Sequence, residues 1–145
     1  MTDYLISETQ YFRIEQSYEI LIPGYLIVSM KEPIAEFSQM PHEVAVDLGQ
    51  SLQMACRIAE KIIKPERVYV AKFGEECKQI HFHILPRTLS LLEEYKQTLG
   101  MKDEPISGPQ IFDWVRNKYR SNGMRKDLDP SFQKIIEQMR LEASL

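Results

Sequence analysis

The chain has 145 residues and a mass of 17.0 kDa, which is the size of one domain with a sizeable core. Its net charge of −3 argues against a dedicated nucleic-acid binder, which usually carries a basic excess. No stretch approaches the roughly 18 apolar residues of a membrane span, and the first residues lack the features of a signal peptide. Two widely spaced cysteines fit neither a disulfide scaffold nor a zinc motif. We therefore expect a cytoplasmic protein without a membrane partner.

The first two thirds of the chain predict an α+β domain. Pro23-Gly24 is a turn signal between two apolar stretches, and a stripe of apolar residues at helical spacing ends before Pro65. One long helix between two sets of strands is typical of an antiparallel sheet with a covered face. We expect a five-stranded antiparallel sheet with strands over residues 11–16, 19–22, 25–30, 66–73 and 79–85, and one long covering helix over residues 41–64.

From residue 90 onward the pattern turns helical. A short helix should end at Gly100, and the segment Ser107-Gly108-Pro109-Gln110 is typical of a capping box that opens a second helix. Asp129-Pro130 should cap a third helix. We therefore expect residues 1–90 to form the α+β core, and residues 91–145 to form a C-terminal helical extension packed on the same domain.

Residues 79–87 alternate between polar and apolar side chains at the period of a β-strand. Gln79, His81 and His83 should therefore lie in a row on one face, with the apolar residues between them on the other. Pro86 lacks the N–H group that a ladder hydrogen bond needs, so the strand should end there. Two of the three histidines thus face the same way on rigid backbone, which makes this strand the candidate functional site.

The residue types alone leave three interpretations of this strand open. The histidines could be polar residues on the solvated face of a half-buried sheet. They could bind a metal, with a third ligand from His42, Glu75, Glu76 or Cys77. They could also catalyse phosphoryl or nucleotidyl transfer, because a neutral imidazole is a nucleophile near neutral pH. In that case His81 is the nucleophile, and His83 and Gln79 donate to the phosphate oxygens.

The same strand resembles the signature of the histidine-triad (HIT) family, in which three histidines alternate with apolar residues. The match runs from Ile80 to Arg87 and includes both histidines and the terminal Pro-Arg pair. Upstream, Pro23-Gly24-Tyr25 resembles the family's Pro-Gly-His and is followed by an apolar strand. The order of the elements also agrees, so the resemblance covers about residues 10–90 and implies the HIT-like fold.

This resemblance implies a nucleotide hydrolase or nucleotidyl transferase. His81 stands at the position of the family's nucleophile, which attacks the α-phosphate of a nucleotide and forms a nucleotidyl-histidine that water or another acceptor resolves. His83 stands at the position that contacts this phosphate and assists the leaving group. Family substrates include dinucleoside polyphosphates, phosphoramidates, acyl adenylates and sugar nucleotides. The resemblance also implies a homodimer and no required cofactor, although a divalent metal could accompany a polyphosphate substrate.

Four positions depart from the family pattern. Gln79 replaces the first histidine of the triad, as in one branch of the superfamily with Gln-x-His-x-His, and Tyr25 replaces the upstream histidine. Ser17 stands where members often carry an asparagine near the ribose, and Glu75 stands where a glutamine is common near the substrate phosphates. We expect these last two residues to contact the substrate. The incomplete triad leaves a non-catalytic nucleotide-binding module as the alternative, and a metal site on the two histidines as a further one.

A local basic cluster follows in the last third of the chain. Charge runs of this kind usually form a solvated face, which is the interpretation that the sequence favours. The cluster could also receive a polyphosphate or a nucleic-acid backbone. Its members are Arg116, Lys118, Arg120, Arg125 and Lys126.

Overall fold

The computed structural model describes residues 4–75, 77–121 and 128–145. Within these ranges the strands are β1 Leu5–Glu8, β2 Phe12–Gln16, β3 Leu26–Met30, β4 Arg67–Ala71 and β5 His81–Arg87. They form one sheet with the spatial order β1-β2-β3-β5-β4, in which every neighbouring pair is antiparallel. The strand that carries the histidines, β5, therefore lies inside the sheet, and β4 is an edge strand.

The α-helices of the described ranges are α1 His42–Ile63, α2 Leu89–Leu99, α3 Gly108–Lys118 and α4 Pro130–Ala143. The long helix α1 and the last helix α4 share one hydrophobic core with the sheet, built from residues such as Val28, Ile58, Ile84, Ile136 and Met139. Helices α2 and α3 share a second core, which includes Tyr25, Leu85, Leu92, Ile111 and Phe112. The predicted α+β architecture, a five-stranded antiparallel sheet with one long covering helix, is confirmed.

The predicted strand over residues 19–22 is wrong, and the fifth strand is β1, which the sequence pattern did not reveal. Residues 17–25 form a loop because the side chain of Gln16 makes hydrogen bonds with the backbone near both ends of this segment. The buried Gln16 amide donates to the carbonyl oxygens of Ser17 at 3.1 Å and Ile22 at 3.0 Å, and its oxygen accepts from the N–H of Gly24 at 2.9 Å. These backbone groups are satisfied by one side chain instead of a neighbouring strand. In this loop, only Ile20 makes an isolated bridge, to Arg120.

The histidine strand is shifted along the chain from its predicted position. It begins at His81, two residues later than expected, and it continues through Pro86 to Arg87. Strand β3 pairs with β5 only as far as Ile84, whereas β4 pairs with it up to Arg87. Pro86 therefore has a neighbouring strand on one side only. Because no strand pairs with it on the other side, the N–H group that proline lacks is not needed for a ladder hydrogen bond there.

The predicted helix ends after residue 90 are confirmed. Gly100 adopts a left-handed φ of 63° at the end of α2, and Ser107 accepts from the N–H of Gln110 at the start of α3. Asp129 accepts from the N–H of Phe132 and so caps α4. The division into a core and an extension stays a prediction. No helix in the described part of the chain has the length and apolar character to cross a membrane, and the cytoplasmic location stays a prediction.

Candidate active site

The two histidines of β5 face the second core and not the side covered by α1. Ile80 and Ile84 are buried in the core beneath α1, whereas His81 and His83 line a pocket on the opposite face. Their ring centroids are 5.1 Å apart. The alternation of the strand thus places both rings side by side, as the sequence predicted. This face is not a fully solvated one, because His83 is only 8% exposed.

His81 is held in one orientation by the backbone just before its own strand. Its Nδ1 lies 2.8 Å from the carbonyl oxygen of Gln79. A carbonyl can only accept a hydrogen bond, so Nδ1 carries the proton when the imidazole is neutral. The lone pair of the neutral ring is then on Nε2. This arrangement makes Nε2 the basic and nucleophilic atom of a half-exposed residue that lines the pocket.

His83 is fixed by Tyr25, which stands where the sequence resemblance implies a histidine. The Tyr25 hydroxyl lies 2.8 Å from Nδ1 of His83, and Tyr25 is fully buried. Burial raises the pKa of the Tyr25 phenol, so it keeps its proton. Within the described part of the chain, Nδ1 of His83 is the one acceptor that this proton reaches. Tyr25 therefore donates to Nδ1, and the neutral His83 ring carries its own proton on Nε2 as a hydrogen-bond donor.

The surroundings of His83 keep this ring neutral. Burial is the main cause that lowers its pKa to about 4, and the charges of Arg116 and His81 lower it further. Aromatic rings enclose it: the centroid of Phe73 lies 5.5 Å away and that of Phe112 lies 6.3 Å away. A ring in this setting donates a hydrogen bond at neutral pH without carrying a charge.

Of the remaining predicted site residues, Gln79 and Ser17 line the pocket of the two histidines, whereas Glu75 does not. Gln79 lines the pocket, but it precedes β5, and its amide donates to the carbonyl oxygen of Met30 at the end of β3. Ser17 also lines the pocket, and its Oγ accepts from the N–H groups of Glu19 and Ile20. Glu75 lies in the exposed turn after β4 and is not among the residues that line the pocket.

The described members of the basic cluster do not share one solvated face. Lys118 pairs with Glu94 and lies 5.1 Å from the centroid of the Trp114 ring. Arg116 and Arg120 line the pocket instead, and Arg116 is half-buried there. The solvated interpretation is therefore wrong for Arg116. The other two predicted members, Arg125 and Lys126, lie outside the described residues.

The loop after β2 brings the C-terminal side of α3 to the pocket. Ser121 donates through its N–H group to the carbonyl oxygen of Glu19 at 2.7 Å, and through its hydroxyl to that of Tyr18 at 2.9 Å. Ile20 and Arg120 form the neighbouring bridge. No local sequence pattern encodes the contact between Ser121 and Tyr18, because it joins residues 103 positions apart. The sequence showed Tyr25 as a departure from the Pro-Gly-His pattern, but it did not predict the hydrogen bond between Tyr25 and His83.

The metal hypothesis gains no third ligand from the described residues. No group of three or more histidine, cysteine, aspartate or glutamate side chains converges within residues 4–75, 77–121 and 128–145. Glu76, one of the proposed ligands, lies outside these ranges. Cys77 lines the pocket together with the histidines. The need for a divalent metal with a polyphosphate substrate stays a prediction.

Comparison with known proteins shows which solved structures share this fold. No protein-family model matches the chain. Solved structures with a similar fold include a histidine-triad protein from Bradyrhizobium japonicum, at 16% identity and a TM-score of 0.62 over 96% of this chain and 89% of that one. A Hit-like protein involved in cell-cycle regulation from Bartonella henselae matches at 14% identity and a TM-score of 0.62, over 96% of this chain and 85% of that one.

A third similar structure is the diadenosine triphosphate hydrolase of Plasmodium falciparum in complex with cyclomarin A. It matches at 15% identity and a TM-score of 0.60, over 99% of this chain and 76% of that one. The chain therefore has the fold of the histidine-triad proteins, as the sequence resemblance implied. The assignment to the Gln-x-His-x-His branch stays a prediction.

The low pKa of His83 predicts an acid-sensitive fold. In an NMR titration, the His83 ring should titrate near pH 4, below the unperturbed value of about 6.5. Because the folded pKa lies below the unfolded one, the unfolded chain binds more protons between these values. The free energy of unfolding should therefore fall by about 2–3 kcal/mol from this group as the pH drops from 7 to 4.

The matched control is His83→Gln, which removes the titrating group. Its free energy of unfolding, measured by urea denaturation, should fall less over the same pH range than that of the unchanged protein. A His83 midpoint near pH 6.5 would contradict the enclosed and neutral state of this ring.

Proposed function

We propose that this protein belongs to the histidine-triad superfamily and is a nucleotide hydrolase or nucleotidyl transferase that works through a covalent nucleotidyl-histidine on His81. The observation that carries the proposal is the orientation of His81. Its Nδ1 is bound to the Gln79 carbonyl, so the nucleophilic Nε2 belongs to a ring that lines the pocket beside His83. A nucleophile with a fixed tautomer and a neutral donor at its side suits attack on a phosphate group.

In the first step, Nε2 of His81 attacks the α-phosphorus of the nucleotide. An N–P bond forms, and the bond from phosphorus to the leaving group breaks, with the electron pair going to the leaving group. The Nε2–H group of His83 donates to a non-bridging oxygen of this phosphate, where charge develops in the transition state. Tyr25 supports this role because its hydroxyl keeps the proton of His83 on Nε2.

In the second step, the oxygen of water or of another hydroxyl acceptor attacks the same phosphorus and loses its proton to solvent. The N–P bond breaks, and its electron pair returns to Nε2 of His81. With water the product is the nucleoside monophosphate, and with another acceptor it is the nucleotidyl ester of that acceptor. The hydrogen bond from Nδ1 to the Gln79 carbonyl persists through the cycle, and it stabilises the positive ring that exists while the phosphate is attached.

The nucleoside is proposed to lie towards β2 and the loop that follows it. Ser17, Glu15 and Glu19 line that side of the pocket. Both acceptor sites of the Ser17 oxygen are used by backbone N–H groups, so Ser17 offers a ligand its hydroxyl proton. Carboxylates accept hydrogen bonds from ribose hydroxyls, whereas they repel phosphate. This division of polar groups supports a nucleotide as the substrate.

The covalent mechanism predicts a strict dependence on His81. His81→Ala should reduce turnover of diadenosine triphosphate and adenosine phosphoramidate by at least about 10³-fold, because no other imidazole takes its place. In a rapid-quench experiment, intact mass spectrometry of the unchanged protein should show an adduct of one nucleoside monophosphate. Peptide mapping should place this adduct on His81.

The matched control is His42→Ala, which changes the third histidine at the start of α1, outside the residues that line the pocket. It should keep turnover within about twofold of the unchanged protein, as expected for a surface substitution. Turnover that survives His81→Ala would contradict the assignment of the nucleophile. Tight nucleotide binding without turnover in the unchanged protein would favour the non-catalytic binding module.

We also propose a homodimer that pairs along the free edge of β4. An edge strand presents unpaired N–H and C=O groups, and the same edge of a second copy is complementary to them across a twofold axis. Apolar residues accompany this edge, since Val70 is 45% exposed and Phe73 is 44% exposed. Both line a groove beside α3 that adjoins the histidine pocket, since Arg116 lines both. Together these features support self-association.

The dimer proposal predicts that a charge on this edge separates the copies. Val70→Lys should convert a dimer into a monomer in light scattering, because each interface would then bury two lysines. Val46→Lys changes a valine of similar exposure, 49%, on the outer side of α1 and should leave the mass unchanged. A monomeric unchanged protein at micromolar concentration would contradict the proposal.

A further inference from the structure

Arg116 is a residue of the histidine pocket that comes from α3. This helix lies outside the region whose sequence resembles the histidine-triad family. Arg116 lines the pocket together with His81 and His83. Its charge reaches far enough to lower the pKa of both His83 and Tyr25. A guanidinium group therefore lies near the proposed site of phosphate transfer.

No ion pair of the described residues neutralises this charge. None of the ion pairs between described residues includes Arg116. Its guanidinium carbon lies 4.6 Å from the centroid of the Phe73 ring, and that ring lies 5.6 Å from Phe112. A cation held against an aromatic ring is positioned without using its N–H groups in an ion pair. Arg116 thus differs from its neighbour Lys118, which pairs with Glu94.

Two carboxylates and two guanidinium groups line the pocket. Glu15 and Glu19 come from β2 and the loop after it, whereas Arg116 and Arg120 come from α3 and the segment that follows it. The carboxylates repel the phosphates of a substrate, and the guanidinium groups attract them. Arg120 bridges Ile20 next to Glu19, whereas Arg116 lies against the Phe73 ring. The chain of phosphates beyond the transferred group should therefore extend towards Arg116.

We propose that Arg116 binds the phosphate of the leaving group, and that the substrates are phosphoanhydrides, in which the nucleotidyl group is joined to another phosphate through oxygen. This inference rests on the proposed role of His81. When Nε2 of His81 bonds to the α-phosphorus, the P–O bond of the anhydride breaks and its electron pair stays on the bridging oxygen. The leaving phosphate gains negative charge, and the planar guanidinium binds two of its oxygens.

A phosphoramidate tests this assignment because its leaving group differs in charge. The departing nitrogen takes a proton and leaves as a neutral amine, so no negative charge develops for Arg116 to bind. Loss of one donor to a developing oxyanion costs on the order of 10²-fold in rate. An arginine that binds the leaving phosphate should therefore matter for the anhydride and not for the amidate.

The experiment compares kcat/KM for diadenosine triphosphate and adenosine phosphoramidate in three proteins. These are the unchanged protein, Arg116→Met and Lys118→Met. Methionine keeps an apolar side chain over Phe73 while it removes the charge. Arg116→Met should lower kcat/KM for the triphosphate by about 30- to 100-fold and leave the phosphoramidate within about twofold. Lys118→Met, on the same helix but paired with Glu94, should leave both substrates within about twofold.

Two results would overturn the inference. One is an equal loss for both substrates, which would place Arg116 on the transferred phosphate. The other is an Arg116→Met protein that keeps full activity on the triphosphate. If the unchanged protein turns over neither substrate, the proposed function fails, and calorimetric titration with inorganic tripolyphosphate then tests Arg116 alone. Binding that weakens at least about tenfold in Arg116→Met but not in Lys118→Met supports the anion site, and equal binding by all three proteins refutes it.

Discussion

The hydrogen bond from Nδ1 of His81 to the carbonyl oxygen of Gln79 is the contact on which the proposed chemistry depends. It joins a side chain to the backbone two residues earlier, so the geometry of the strand start itself sets the tautomer. A neutral imidazole has one basic nitrogen, and this contact assigns it to Nε2. The side chain of Gln79, which stands where the resemblance implies a histidine, does not affect this contact, because the acceptor is a main-chain oxygen that every residue carries. The proposed role of His81 therefore does not depend on the residue type at position 79.

The second histidine is controlled by different means. Tyr25, which directly precedes β3, provides a buried hydroxyl 2.8 Å from Nδ1 of His83, and the surrounding aromatic rings leave His83 only 8% exposed. Both effects favour a neutral ring with its proton on Nε2. The two histidines are thus chemically distinct although they share a strand and a face: one offers a lone pair and the other offers a proton for hydrogen bonding. Attack on a phosphate requires both functions.

Local sequence patterns predicted the parts of this fold that depend on local physics. The sequence predicted the period of two in β5, the turn at Pro23-Gly24 and the caps of the helices. Each of these features is determined by residues that are neighbours in the chain. The strand predicted over residues 19–22 failed because the side chain of Gln16 satisfies that loop's backbone. The placement of Arg116 was unpredictable for a related reason. It depends on how α3 packs against the sheet, which the helical pattern alone does not specify.

The most direct test of the central claim is the tautomer of the neutral His81 ring, measured from its two ring nitrogen-15 chemical shifts. We expect a protonated Nδ1 and an unprotonated Nε2 in this neutral ring, with a through-bond coupling that assigns each nitrogen. The Tyr25→Phe protein should keep this pattern at His81, since Tyr25 contacts His83 and not His81. A His81 ring with its proton on Nε2 would contradict the account, because the atom assigned to attack phosphorus would then have no lone pair to use.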